Sequence, residues 1–179
     1  MEQEAANYLK QQGLPWRMLG WGMAGLLLLL PLVANAPWTV SDFAFAAVML
    51  AGVGLLFELT VRLSRNHAYR AGIGCALAAA FAIIWVNLAV GMIGDGPNLH
   101  NLLFLSLIGI ALFGGIIARF RAGGMATAMA AVAVAHVAIA VSGMPADLRG
   151  GVLSALMATA WLLSAALFRK AASSLRQAA

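Results

Sequence analysis

Charge is what this chain has least of. Only 9% of its 179 residues are Asp, Glu, Lys or Arg, where a soluble domain carries about 25%. One cysteine, Cys75, excludes an internal disulfide and any paired-thiol redox motif. The two lysines, Lys10 and Lys170, both lie outside the apolar segments, which removes a retinal Schiff base. The net charge of +5 includes no long basic run, and this argues against a nucleic-acid partner. There is no Walker motif and no Gly-x-Ser-Gly nucleophile of the rhomboid type. The stretch Gly91-Met-Ile-Gly-Asp-Gly96 has the wrong spacing for an intramembrane aspartyl protease, and no second intramembrane aspartate could share its proton. No conventional enzyme and no cofactor is expected.

What the chain does have is hydrophobicity: 63% of residues, with mean hydropathy +0.93. Six apolar runs stand out, at 18–36, 43–63, 70–94, 100–118, 125–143 and 150–168. At about 1.5 Å per residue, each is long enough to cross a hydrocarbon core of about 30 Å. The fifth is the weakest by composition, because alanine dominates it. The fold class read from this pattern is all-α, an integral membrane bundle of six transmembrane helices. Its parts are a cytoplasmic segment over 1–17, the helical domain over 18–168 and a short basic tail over 169–179.

Orientation follows from the positive-inside rule. Lys10, Arg17, Arg62, Arg65, Arg70, Arg119, Arg121, Arg169, Lys170 and Arg176 fall on one side of the spans, and Arg149 alone on the other. Both termini are therefore expected in the cytoplasm, with Asp42, Asp95 and Asp147 in the outer loops. Arg17, the apolar run after it and Ala34-Asn35-Ala36 imitate a secretory signal, but Pro37 directly after the would-be cut disfavours cleavage. The segment is read as a first span kinked by Pro31. Residues 1–16 read equally as a short surface helix with Trp16 at the interface or as a frayed tail.

Polar residues within the spans are the best pointers to function, since hydrocarbon penalises each of them. Glu58 and Arg62 are four residues apart with the glutamate first, the favourable order for an ion pair. Asn87 and His136 each lie seven residues below an expected helix end, about 10 Å into the membrane. Ser106 lies at a similar level on the fourth span. These three could join helices as hydrogen-bonding glue or form a solute or proton site. No second histidine sits at the level of His136, so a metal or haem site is not expected.

Small residues recur at helical spacing: Gly72, Ala76 and Ala80; Asn87, Gly91 and Gly94; Ala111 and Gly115; Gly124 and Ala128. Such stripes let helices approach closely, within the bundle or toward a partner. In the turn Gly94-Asp95-Gly96-Pro97-Asn98, the glycines suit tight backbone geometry, Pro97 suits the start of the next helix, and Asn98 or Gly96 suits its cap. "LFELTVRL…RAGIGCALAAA" and "LFGGIIARF…RAGGMATAMAA" are alike enough to suggest a duplicated two-helix hairpin.

The run Asn87-Leu-Ala-Val-Gly-Met-Ile-Gly94, the Pro97-Asn98 that follows and Ile117-Ala-Arg-Phe-Arg121 carry a resemblance. The chain resembles an uncharacterised family of small multi-pass bacterial inner-membrane proteins with an NLAVGxIG…PN signature, mainly over helices two to five. It departs from that family in residues 91–97, which are glycine-rich with a single acid where a more acidic loop is expected. The resemblance implies a bacterial inner (cytoplasmic) membrane and transfers no catalytic residue.

The function expected first is that of an accessory or scaffold protein, acting through helix packing with itself or a larger membrane complex. The alternative is a small-solute or proton-linked transporter, with Asn87, Ser106 and His136 along a path and Glu58 at its inner mouth. A third is an outer-face sensor using Asp95 and His100. The expected partners are the lipid bilayer and either a homo-oligomer or a larger membrane complex.

Overall fold

A computed structural model describes residues 16–35 and 37–177. They form six helices and, among the described residues, no strand: α1 Trp16–Val33, α2 Val40–Leu63, α3 His67–Ala89, α4 Leu99–Ile117, α5 Ala122–Gly143 and α6 Leu148–Gln177. Helices α2 to α6 are long and apolar enough to cross a membrane, whereas the apolar part of α1, Met18–Val33, is shorter. Pro31 lies in the last turn of α1, which ends two residues later instead of running on to residue 36. The surface helix expected over residues 1–16 lies outside the described residues, apart from Trp16 at the start of α1.

The chain divides into two compact units, residues 1–56 and 57–179. In the first, Thr39 and Asp42 form a capping box at the start of α2. The Asp42 carboxylate accepts from the Thr39 amide at 2.7 Å and from its hydroxyl at 2.8 Å. Trp38 and Phe43 meet edge to face across this cap with ring centroids 5.1 Å apart, as a hydrophobic staple does. Gly54 leaves room for the Trp21 ring, which a Cβ there would meet at 2.8 Å.

In the second unit, α6 packs against α5 and α3, and α4 against α5. Alanine-rich α5 belongs to the heart of this bundle. Its buried residues Met125, Met129, Val132, His136 and Ala140 recur at three- and four-residue spacing along the helix. Protein neighbours cover one face of this helix, where small side chains shorten the interhelical distance, while Val134, Val137 and Val141 face outward. The small-residue stripes are used the same way. Gly72 sits under the Phe168 ring, Gly114 against Ala128, Gly115 against Phe120 and Met125, and Gly124 against Ala118. Helix α4 instead turns Leu102, Ile110, Leu112, Phe113 and Ile117 outward, a surface suited to hydrocarbon.

Side chains fix the turns at the basic end. Arg70 donates to the carbonyls of Ser64 (2.6 Å) and Val61 (2.7 Å), placing a cation on the unsatisfied C-terminus of α2. Asn66 caps α3 by accepting from the Tyr69 amide and donates to Ser174 of α6 at 2.9 Å. The Tyr69 hydroxyl donates to the Phe120 carbonyl at 2.7 Å, holding an α4–α5 turn in which Arg119 and Phe120 both have left-handed backbones. Helix α6 continues to Gln177, so most of the tail expected over 169–179 is helical.

Two boundaries move the site. Helix α3 stops at Ala89, five residues before the expected end at Gly94, because Gly91 takes a φ of +80° and turns the chain back. Asn87 therefore lies two residues from a helix end and not seven. Pro97 precedes the α4 cap instead of entering its first turn, and Asn98 is that cap, accepting from the Asn101 amide.

Candidate functional site

The turn between α3 and α4 folds inward. Met92 and Ile93 are each 2% exposed and belong to the core, although they lie in a connecting segment. Backbone buried this way must find partners, and Asn101, on the first turn of α4 and itself buried, supplies them. Its side-chain oxygen accepts from the amides of Met92 and Ile93, both at 2.9 Å, and its side-chain nitrogen donates to the Gly96 carbonyl at 2.9 Å. Asn98 donates to the Ile93 carbonyl at 2.7 Å, and the Ser154 hydroxyl of α6 donates to the Met92 carbonyl at 3.1 Å.

Asp147, in the neighbouring α5–α6 turn, completes this lock. Its carboxylate accepts from the Gly150 amide at 2.9 Å and from the Gly94 amide at 3.0 Å. Those two donors, with Arg149 nearby, hold the carboxyl below the usual carboxylate range. Gly143 and Gly150 leave space for the tucked turn. A Cβ on Gly143 would meet Ile93 at 2.7 Å, and one on Gly150 would meet Asp147 and, at 2.7 Å, the Met92 carbonyl.

Asn87 belongs to the edge of this lock, donating to the Asn101 carbonyl at 2.8 Å. Ser106 is exposed and donates to Leu103 of its own helix at 2.6 Å. The structure thus does not gather Asn87, Ser106 and His136 into one cluster. Glu58 and Arg62 form the ion pair at 2.9 Å, the glutamate side chain 12% exposed and the arginine 67%. Asp95 is exposed and His100 half-buried, and no hydrogen bond joins them. Among the described residues no three His, Cys, Asp or Glu side chains group as metal ligands.

Two of the described side chains bury nitrogens without a hydrogen-bond partner, the indole of Trp161 and the ring of His136, and His136 is the one that also borders a cavity. It is 0% exposed, stacked edge to face on Phe104 with centroids 5.1 Å apart, and neither ring nitrogen has a hydrogen-bond partner. The backbone of Ser154 faces it without reaching hydrogen-bond geometry. An unmade bond at a buried polar atom costs about 1–3 kcal/mol, so this ring is a standing expense in the fold. Beside it lies a cavity of about 180 Å³. Ala78, Ala79, Ala82 and Ile83 of α3 form one wall, and Met157, Thr159 and Ala160 of α6 form the other. Ala78 and Thr159 are exposed and mark the side on which the cavity meets the surface of the bundle. No known family, curated protein or solved structure matches this chain.

Sequence reasoning reached His136, Asn87 and Asn98 but missed Asn101, Ser154 and the cavity. The signal for Asn101 was present: an asparagine three residues after a capping asparagine, inside an otherwise apolar run. The cavity depends on how three helices meet, and no short motif encodes that.

Proposed function

We propose that this chain is a six-span bundle of a bacterial inner membrane, both termini cytoplasmic, that binds a small solute between α3, α5 and α6 at His136. The distribution of positive charge, ten residues against one, supports the topology. One observation carries the functional reading: a fully buried histidine with two unpartnered nitrogens borders a cavity of about 180 Å³. Buried polar groups ordinarily have partners, and a ligand in this cavity would supply one once a lining side chain moves aside. The solute reading narrows accordingly. Ser106 faces away from the bundle interior and Asn87 is engaged at the turn, so the site reduces to His136 and its cavity.

The scaffold reading rests on scarce buried ionisable groups and on small-residue stripes, and within the second unit Gly72, Gly115 and Gly124 of those stripes already seat side chains of the same chain. That leaves it less to stand on than the solute reading. Native mass spectrometry of the chain extracted from bacterial membranes in lipid nanodiscs tests the choice. A stoichiometric small-molecule adduct is expected, and it should disappear in His136→Phe. A chain with no adduct, recovered at fixed stoichiometry with another membrane protein, would overturn the solute reading in favour of the scaffold.

A further inference from the structure

We propose, resting on that reading, that the His136 cavity takes a neutral, membrane-dissolved molecule of the phenol class, and that it enters sideways between α3 and α6.

Four features of the cavity define this class. Its walls carry no ionisable side chain besides His136, so a charged solute would be stripped of water with no counter-charge to meet it. Its volume of about 180 Å³ slightly exceeds the roughly 150 Å³ of an apolar cavity that accepts benzene, so one six-membered ring with one or two further heavy atoms fits. Alanine, isoleucine and methionine walls suit the ring. The polar handle must address an imidazole nitrogen, whichever of the two turns to the cavity. A hydroxyl can donate to the bare nitrogen or accept from the protonated one, so it answers either tautomer.

The route follows from what closes the alternatives. Toward the turn that holds Asp95, Met92 and Ile93 are buried and bound by Asn101. On the surface of the bundle, Ala78 and Thr159 are exposed, and each lies eleven residues from an end of its helix, near the middle of the span. At about 1.5 Å per residue that is roughly 16 Å from the helix end, the depth of the bilayer centre. A mouth at that depth opens to hydrocarbon. Both His136 nitrogens are shut off from solvent contact, so contact requires one lining side chain to change rotamer. Met157, unbranched and with three rotatable side-chain bonds, is suited to that.

The test uses the full chain in lipid nanodiscs and fluorine NMR of three probes: para-fluorophenol and para-fluorotoluene, which share one shape, and the larger, charged para-fluorobenzoate. Saturable binding of the phenol is expected, at least about tenfold tighter than the toluene, the size of one retained hydrogen bond. The benzoate should not bind. His136→Phe should abolish the preference while the toluene still saturates, which also shows that the cavity survives. Ala82→Leu should fill the cavity and abolish both. Thr159→Phe at the mouth should slow entry of the phenol at least about tenfold; unchanged entry overturns the lateral route. Equal binding of phenol and toluene, or tightest binding of the benzoate with loss in His136→Phe, overturns the phenol class while a solute site stands. No saturable binding by any probe, together with no native adduct, overturns both.

Discussion

Replacing Asn101 by alanine tests whether the tucked turn is held by one side chain. The substitution deletes three hydrogen bonds at once, to the Met92 amide, the Ile93 amide and the Gly96 carbonyl, each at 2.9 Å. At about 1 kcal/mol net per bond the loss is about 3 kcal/mol. The figure rises if the two amides stay dry, since Met92 and Ile93 are each 2% exposed. The companion Asn87→Ala removes a single bond between helices, for which about 0.6 kcal/mol is typical in a bundle. Unfolding in mixed micelles by graded denaturing detergent measures the stability difference, and amide hydrogen exchange locates it. Asn101→Ala should lower stability at least about threefold more than Asn87→Ala, by the same bond energies. It should also speed exchange at residues 92 and 93 well before the helices open. If Asn101→Ala matches the parent within about 0.5 kcal/mol, below the worth of one bond, and those amides remain protected, the turn is held by packing alone.

Other perturbations separate the remaining contacts. Gly150→Ala should destabilise by about 1–3 kcal/mol through overpacking against Asp147 and the Met92 carbonyl. Gly109→Ala, which meets nothing within 4 Å, should stabilise by about 0.5–1 kcal/mol in the same unfolding assay. The lowered Asp147 carboxyl gives a pH dependence of definite sign. Its contribution is complete above the unfolded value of about 3.9 and is lost as pH falls through the lower folded value. Stability measured between pH 6 and pH 2 should therefore fall more steeply in the parent than in Asp147→Asn, and superimposable curves would contradict this. After Cys75→Ser, a cysteine at Asp95 should react in intact cells with a membrane-impermeant maleimide, and one at Arg121 should not; the reverse pattern would invert the topology.

Apolar run length made the helices legible, and short turns made most of their ends legible. It misplaced the end of α3, since Met92 and Ile93 are as apolar as the helix before them and periodicity cannot distinguish continuation from return. The left-handed Gly91 starts that return and side chains distant in sequence hold it, chiefly the acceptor on Asn101, ten residues later, and Asp147 and Ser154 beyond the next two helices. Depth counted along the sequence failed for Asn87 for the same reason. It placed His136 seven residues before the end of α5, where the structure has it. Which way Ser106 points was beyond reach: a serine on an apolar helix satisfies itself on its own backbone as readily as on a neighbour.

Three serines hold α6 in register. Ser154 reaches the Met92 carbonyl, Ser164 the Gly72 carbonyl at 2.8 Å, and Ser174 accepts from Asn66. They are spaced ten residues apart, near the two ends and the middle of the helix. A slide of α6 by even one residue would break all three, so its register against α3 and the turns flanking α3 is fixed near both ends and at the middle. The same register therefore sets the spacing of the cavity's α3 and α6 walls, between which α5 brings His136.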